Sequence, residues 1–250
     1  MLGAVIGDII GSRFEADNHK SKKFDLFTQD SCPTDDSIMT LAVAKALFSS
    51  REDWSQLSKN AVKYMQEIGR QYPNCGYGGH FFYWIFSDDP QPYGSYGNGS
   101  AMRISPVGFA ADSIEQAKAL SQAVTEVSHD HPEGLKGAEA VAVAIFLART
   151  GSSRHEIRDY IDKNYYSMDF TLDQIREDYS FDVTCQGSVP QAFQAFFESQ
   201  DFEDAIRNAI SIGGDSDTIA AICGGLAEAY YGIPAPIRDQ AMAYLDDHLV

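Results

Sequence analysis

The sequence predicts an all-α protein. Apolar residues recur at helical rather than alternating spacing through the longest hydrophobic segments. Several segments open with Ser or Thr followed three residues later by Gln or Glu, the pattern of a capping box. No convincing alternation of apolar and polar residues marks a half-buried strand.

The elements follow in order. Leu2, Val5, Ile6, Ile9 and Ile10 place a buried helix at the start of the chain. After Asp36, the residues Ile38, Leu41, Ala42 and Lys45, flanked by Met39, Val43, Ala46 and Leu47, predict a second helix that is apolar on most sides. Ser113 with Gln116, Ser153 with Glu156, Thr171 with Gln174 and Ser188 with Gln191 mark the starts of later helices. The Ala-rich run "GLKGAEAVAVAIFLARTG" follows Pro132 and stops at Gly151, as a central helix should. Thr218 to Tyr231 reads the same way, ending at Gly232 with Pro234 beyond. No repeat and no Pro/Ser-rich linker divides the chain, so one domain over residues 1–250 is expected, with the helices from about Leu2, Ile38, Leu135 and Thr218 at its centre. The one long irregular stretch, Ser87 to Gly99, reads "SDDPQPYGSYGNG". A loop of that length in a compact domain is usually functional or mobile.

Composition narrows the function classes. Hydrophobic residues make up 44% of the chain and charged residues 22%, as expected of a globular protein with a sizeable core. The balance of 19 basic against 36 acidic residues gives a formal charge of −17 and argues against a general nucleic-acid surface. The acidity serves either a solvated surface or carboxylates gathered around cations. Cys32, Cys75, Cys185 and Cys223 are scattered and form no CxxC pair, which excludes a zinc ribbon and favours reduced thiols. The first residues carry Asp8 and no basic n-region, so they read poorly as a signal peptide. No run approaches the roughly 20 apolar residues of a membrane span. A cytoplasmic protein with no membrane association is expected.

Four groups of residues invite chemistry. Thr34-Asp35-Asp36-Ser37 and Asp215-Ser216-Asp217-Thr218 each lie directly before a strongly apolar helix. Either set serves as an N-cap favoured by the helix dipole, or the two meet and share divalent cations. Gathered carboxylates repel and raise one another's pKa unless a positive charge sits among them, and hard oxygen donors select Mg²⁺, Mn²⁺ or Ca²⁺ over zinc. Both readings stand on the residues alone. "YGSYGNGSAMR", from Tyr93 to Arg103, has glycines that would let backbone N–H groups approach an anion and a tyrosine, Tyr96, that would stack on a base; the same glycines also suit a flexible surface loop. "SHDHPEG" places His129 and His131 at a helix entry, where a hydrogen bond to a ligand hydroxyl is plausible and a metal role is not. Glu15 follows the glycine-punctuated first helix, where an acid is ordinarily solvated.

In this order, "GDIIGSRFE", "TDDS", "GSYGNGSAMR", "SHDHPEG" and "GGDSDT" make the chain resemble the ADP-ribosylglycohydrolase family from Gly3 to about Gly232. The resemblance implies a single compact orthogonal helical domain with two Mg²⁺ or Mn²⁺ ions at the foot of an ADP-ribose cleft. It implies Thr34, Asp35 and Asp36 as one metal cluster and Asp215, Asp217 and Thr218 as the other, with Glu15 and Asp36 as catalytic residues. It further implies Gly94, Ser95, Gly97, Asn98 and Gly99 as a diphosphate cradle, Tyr96 as an adenine stack and His129 as a ribose contact. The activity so implied is a metal-dependent glycosidase that opens the C1″ bond of an ADP-ribosylated protein side chain or small conjugate and releases ADP-ribose. The chain departs from the family pattern at Ser37, where a threonine is usual, and in "SDDPQPYG", which lacks a second stacking aromatic unless Tyr93 replaces it. Its short length leaves little room for loops that recognise a large partner, and a monomer is expected. Other readings are a hydrolase of O-acyl-ADP-ribose, a non-catalytic ADP-ribose-binding or structural protein, and a two-metal phosphatase using the same acids.

Overall fold

The computed structural model describes residues 1–249. Among these the chain forms α1 (Leu2–Gly11), α2 (Asp35–Ser50), α3 (Leu57–Gly69), α4 (Gly79–Phe86), α5 (Gly99–Met102), α6 (Ser105–Ala110) and α7 (Ile114–Thr125). It continues with α8 (Pro132–Arg149), α9 (Arg154–Asn164), α10 (Leu172–Ile175), α11 (Cys185–Phe197), α12 (Phe202–Ile210), α13 (Ser216–Tyr231) and α14 (Ala235–Ala241). No strand occurs among the described residues; one isolated antiparallel bridge joins Gly97 to Thr184. The all-α expectation is met.

Burial orders these helices. From Ser216 to Ala227 every residue of α13 is buried, and α1, α8, α11 and α12 pack around it. The closest of these contacts is with α1, and small residues permit it. Gly3, Gly7 and Gly11 share one face of α1, and a Cβ on Gly7 would run into the Ala220 carbonyl while one on Gly11 would lie 2.6 Å from the Asp217 Cα. The backbones therefore touch, and the start of α13 is pressed against the end of α1. On the other side α2 packs on α1 and α3, which brings the N-termini of α2 and α13 together in the core.

Three helices begin two or three residues earlier than their hydrophobic patterns suggest: Asp35, Pro132 and Ser216 rather than Ile38, Leu135 and Thr218. The first turns carry polar residues and so lie outside the apolar period. Ser153 and Thr171 form the expected reciprocal capping boxes. At Ser113 only half of the box forms, because the Gln116 side chain reaches the Asp112 N–H instead. The expected helix start at Ser188 is corrected: Thr184 caps α11 and Ser188 lies inside it, donating to the Asp182 carbonyl at 2.8 Å. The four cysteines are free. Among the described residues no helix is long and apolar enough to cross a membrane.

Candidate functional site

The facing N-termini of α2 and α13 floor a cavity of about 440 Å³, a size within the range of small-molecule sites. Asp35, Asp36, Asp215, Asp217 and Thr218 lie at its base, with Glu15, Ser95, Gly97, Asn98, Gly99 and His129 on its walls. The segments singled out in the sequence, far apart along the chain, thus converge. Thr34, Gly94 and Tyr96 do not line the cavity; Tyr93 does. Tyr96 is 47% exposed and its ring packs edge-on to His131.

Capping does not account for the acids. Thr34, not a carboxylate, caps α2, accepting from the Asp36 N–H at 3.3 Å. No side chain caps α13. Gly213 and Gly214, at φ +68° and +72°, turn the chain through two successive left-handed residues and deliver Asp215 to the helix start. There Asp215 accepts from the Asn98 side chain at 2.6 Å, and Thr218 Oγ1 donates across to Asp36 Oδ2 at 3.2 Å. Asp36 Oδ1 is buried with no hydrogen-bond partner among the described residues.

No Lys, Arg or His ion-pairs with these acids among the described residues. Burial pushes the Asp35 carboxyl up to about 8, with the charges of Asp8 and Asp215 adding to it. Burial, followed by neighbouring acids, raises Asp36 and Asp217 well above the usual carboxylate range. Asp215 is raised by burial and partly relieved by its hydrogen bonds. Glu15, on an exposed residue at the mouth, is raised by partial burial and then by Asp215 and Asp8. Within the described residues, then, no positively charged side chain balances these acids. Carboxylate oxygens of Glu15, Asp215 and Asp217 lie within 4.8 Å of one another, as do those of Asp8, Asp36 and Asp217. An all-oxygen set with an orphaned Asp36 oxygen fits a hard divalent cation.

The sequence reading missed Asp8, which entered it only as a charge arguing against a leader. Asp8 is fully buried and accepts from the Thr34 N–H at 2.9 Å, the Thr34 hydroxyl at 2.7 Å, the Ser37 N–H at 3.0 Å and the Ser37 hydroxyl. With both oxygens engaged, Asp8 anchors the first turn of α2, and burial lifts its pKa to about 6. A lone acid inside an apolar helix was the signal available. Arg103, fully buried on the cavity wall over the Phe81 ring, was also missed, since nothing local distinguishes it from a surface arginine.

The loop supplies less backbone than its glycines suggest. The Gly94 N–H donates to Asp130 at 2.7 Å and the Gly97 N–H to Ser95 Oγ at 3.2 Å, while the Asn98 side chain is committed to Asp215 and Ser188.

A sequence model described as ADP-ribosylglycohydrolase matches residues 1–249. ADP-ribosylhydrolase ARH3 of Bos taurus is 23% identical over an alignment covering 93% of this chain and 84% of that protein. ADP-ribosylarginine hydrolase Tri1 of Pseudomonas putida (strain GB-1) is 26% identical, covering 93% of this chain and 70% of its own length. A solved chain of an ADP-ribosylglycohydrolase-related protein complex has the same fold, with a TM-score of 0.71 at 23% identity, covering 97% of this chain and 93% of its own.

Proposed function

The chain belongs to the ADP-ribosylglycohydrolase family, and on that premise we propose that it hydrolyses the C1″ bond of an ADP-ribosylated substrate and releases ADP-ribose. The observation that carries this reading is the group of buried, unbalanced carboxylates at the foot of a ligand-sized cavity. Thr34, Asp35 and Asp36 with Asp215, Asp217 and Thr218 would hold two divalent cations, Mg²⁺ or Mn²⁺. When bound, such cations supply Lewis acidity that fixes vicinal ribose hydroxyls and favours ionisation of a water.

The chain's own groups do the rest. Glu15 at the mouth moves the proton, giving it to the leaving atom as the glycosidic bond opens or taking it from the attacking water. Asp8 holds α2 so that Asp35 and Asp36 keep their places. Asn98 orients the Asp215 carboxylate. His129 and Ser95 meet the chain of the bound nucleotide, and the rings open to a base in the cavity are Tyr93 and the half-exposed Phe181, Tyr96 standing outside its lining. The free cysteines agree with a reducing compartment such as the cytoplasm.

Chromatography of ADP-ribose released from arginine-linked, serine-linked and O-acetyl conjugates tests the proposal and names the linkage. Release that needs Mg²⁺ or Mn²⁺ and stops in EDTA is expected from one conjugate. Full turnover in EDTA, or no release from any conjugate, would count against it.

A further inference from the structure

Among the described residues one side chain hydrogen-bonds the His129 ring, and that partner is itself held. Its Nδ1 lies 2.9 Å from Ser128 Oγ, which lies 2.7 Å from Nη2 of Arg103. Arg103 and Ser128 are 0% exposed and His129 4%, so bulk solvent does not reach this chain of contacts. A guanidinium has no acceptor, so Arg103 donates and Ser128 Oγ accepts. The serine then has a single proton left to give. Were His129 Nδ1 also protonated, Ser128 Oγ would face two donors and its own proton would be buried without an acceptor, a costly arrangement. The remaining solution is a Ser128 hydroxyl that donates to a bare Nδ1.

We infer that Arg103 and Ser128 are positioning residues that fix His129 as the neutral Nε2–H tautomer, a hydrogen-bond donor aimed at an oxygen of the bound ligand. The direction of Nε2 supports this. A Cβ on Gly99 would lie 3.3 Å from it and one on Gly97 3.8 Å, so the ring edge sits under the glycine loop where that loop borders the cavity. The neutral state is reinforced by burial and then by the Arg103 charge, which together hold the imidazole well below its usual pKa. Among the described residues Arg103 has no ion-pair partner to offset that charge, and its Nε and Nη1 are buried without a hydrogen bond to protein. The same segment also fixes the tyrosine wall, because the Ser128 carbonyl accepts from the Tyr93 N–H at 3.2 Å. His129 thereby binds an oxygen and exchanges no proton with it. The ligand's identity rests on the function proposed above; the tautomer rests only on the protein's own groups.

The test is a two-bond ¹H–¹⁵N correlation spectrum of the full chain labelled at histidine, recorded without ligand at about pH 7, with His129→Gln used to assign the signals. A pyridine-type Nδ1 and a pyrrole-type Nε2 are expected for His129. An Nδ1–H tautomer or an imidazolium in the unmodified protein would overturn the inference, whether or not any variant folds. Ser128→Ala should lose the fixed tautomer and weaken binding of ADP-ribose about tenfold, the scale of one hydrogen bond to a charged oxygen, while Ser128→Thr restores both. A Ser128→Ala spectrum identical to that of the unmodified protein at His129 would also overturn it. Failure of ADP-ribose to bind the unmodified protein would overturn the functional reading and leave the tautomer result standing.

Discussion

Asp8 and Asp36 lie in the same buried cluster under opposite conditions. Four donors from Thr34 and Ser37 surround Asp8, whereas Asp36 receives one hydroxyl and keeps Oδ1 bare. Substitution should separate them. Asp36→Asn removes an acid whose ionisation the cation-free protein cannot balance, so its melting temperature in EDTA should rise by a few degrees while hydrolysis falls at least about 100-fold. A drop in the melting temperature would show that this carboxylate is partnered in the fold. Asp8→Asn should cost about 2–3 kcal/mol, because an amide nitrogen would face N–H donors, and urea unfolding measures it. The acids before α2 and α13 were legible because they crowd ahead of apolar helices. Asp8, Ser128 and Arg103 were not, since each is a single polar residue whose meaning depends on side chains distant in sequence.

At the scale of elements, the pairing of α1 with α13 sets the distance between the two acidic helix starts. Gly7→Ala forces a methyl group into the Ala220 carbonyl. The expected loss is about 2–3 kcal/mol, read as a melting temperature lower by roughly 5–10 °C, with activity reduced further than stability because the cluster is displaced. A stability within about 0.5 kcal/mol of the unmodified protein would mean that the helices are free to separate. Period and punctuation marked α1, α2, α7 to α11 and α13, whereas α3 to α6, α12 and α14 carried no cap or apolar run singled out in the sequence. The pairing of the helices was not readable, because a row of glycines reveals close approach only once the opposing backbone is known. The start of α11 was misplaced for a related reason: Ser188 and Gln191 have the spacing of a box, but Thr184 is already a competent cap and Ser188 is drawn to Asp182 and Asn98.

For the whole molecule, the acidic cluster ties stability to pH and to cations. Asp8 and Asp35, with pKa values raised from 3.8 to about 6 and about 8, bind protons in the folded state at pH values where the unfolded chain has lost them. Without cations, the contribution of these two acids to stability is therefore greatest at low pH and falls as pH rises from about 4 through about 8. Melting curves in EDTA at about pH 5.5 and 8.5 should show that decline, and saturating Mg²⁺ should raise the melting temperature more at the higher pH. An opposite slope would mean that the carboxylates are balanced within the protein. The central claim is that the starts of α2 and α13 gather cations rather than cap helices. Its most direct measurement is a Mn²⁺ titration of the metal-free protein followed by electron paramagnetic resonance, alongside Asp217→Asn. About two ions per chain should bind to the unmodified protein and fewer to the variant; no binding, or equal binding by both, would contradict the account.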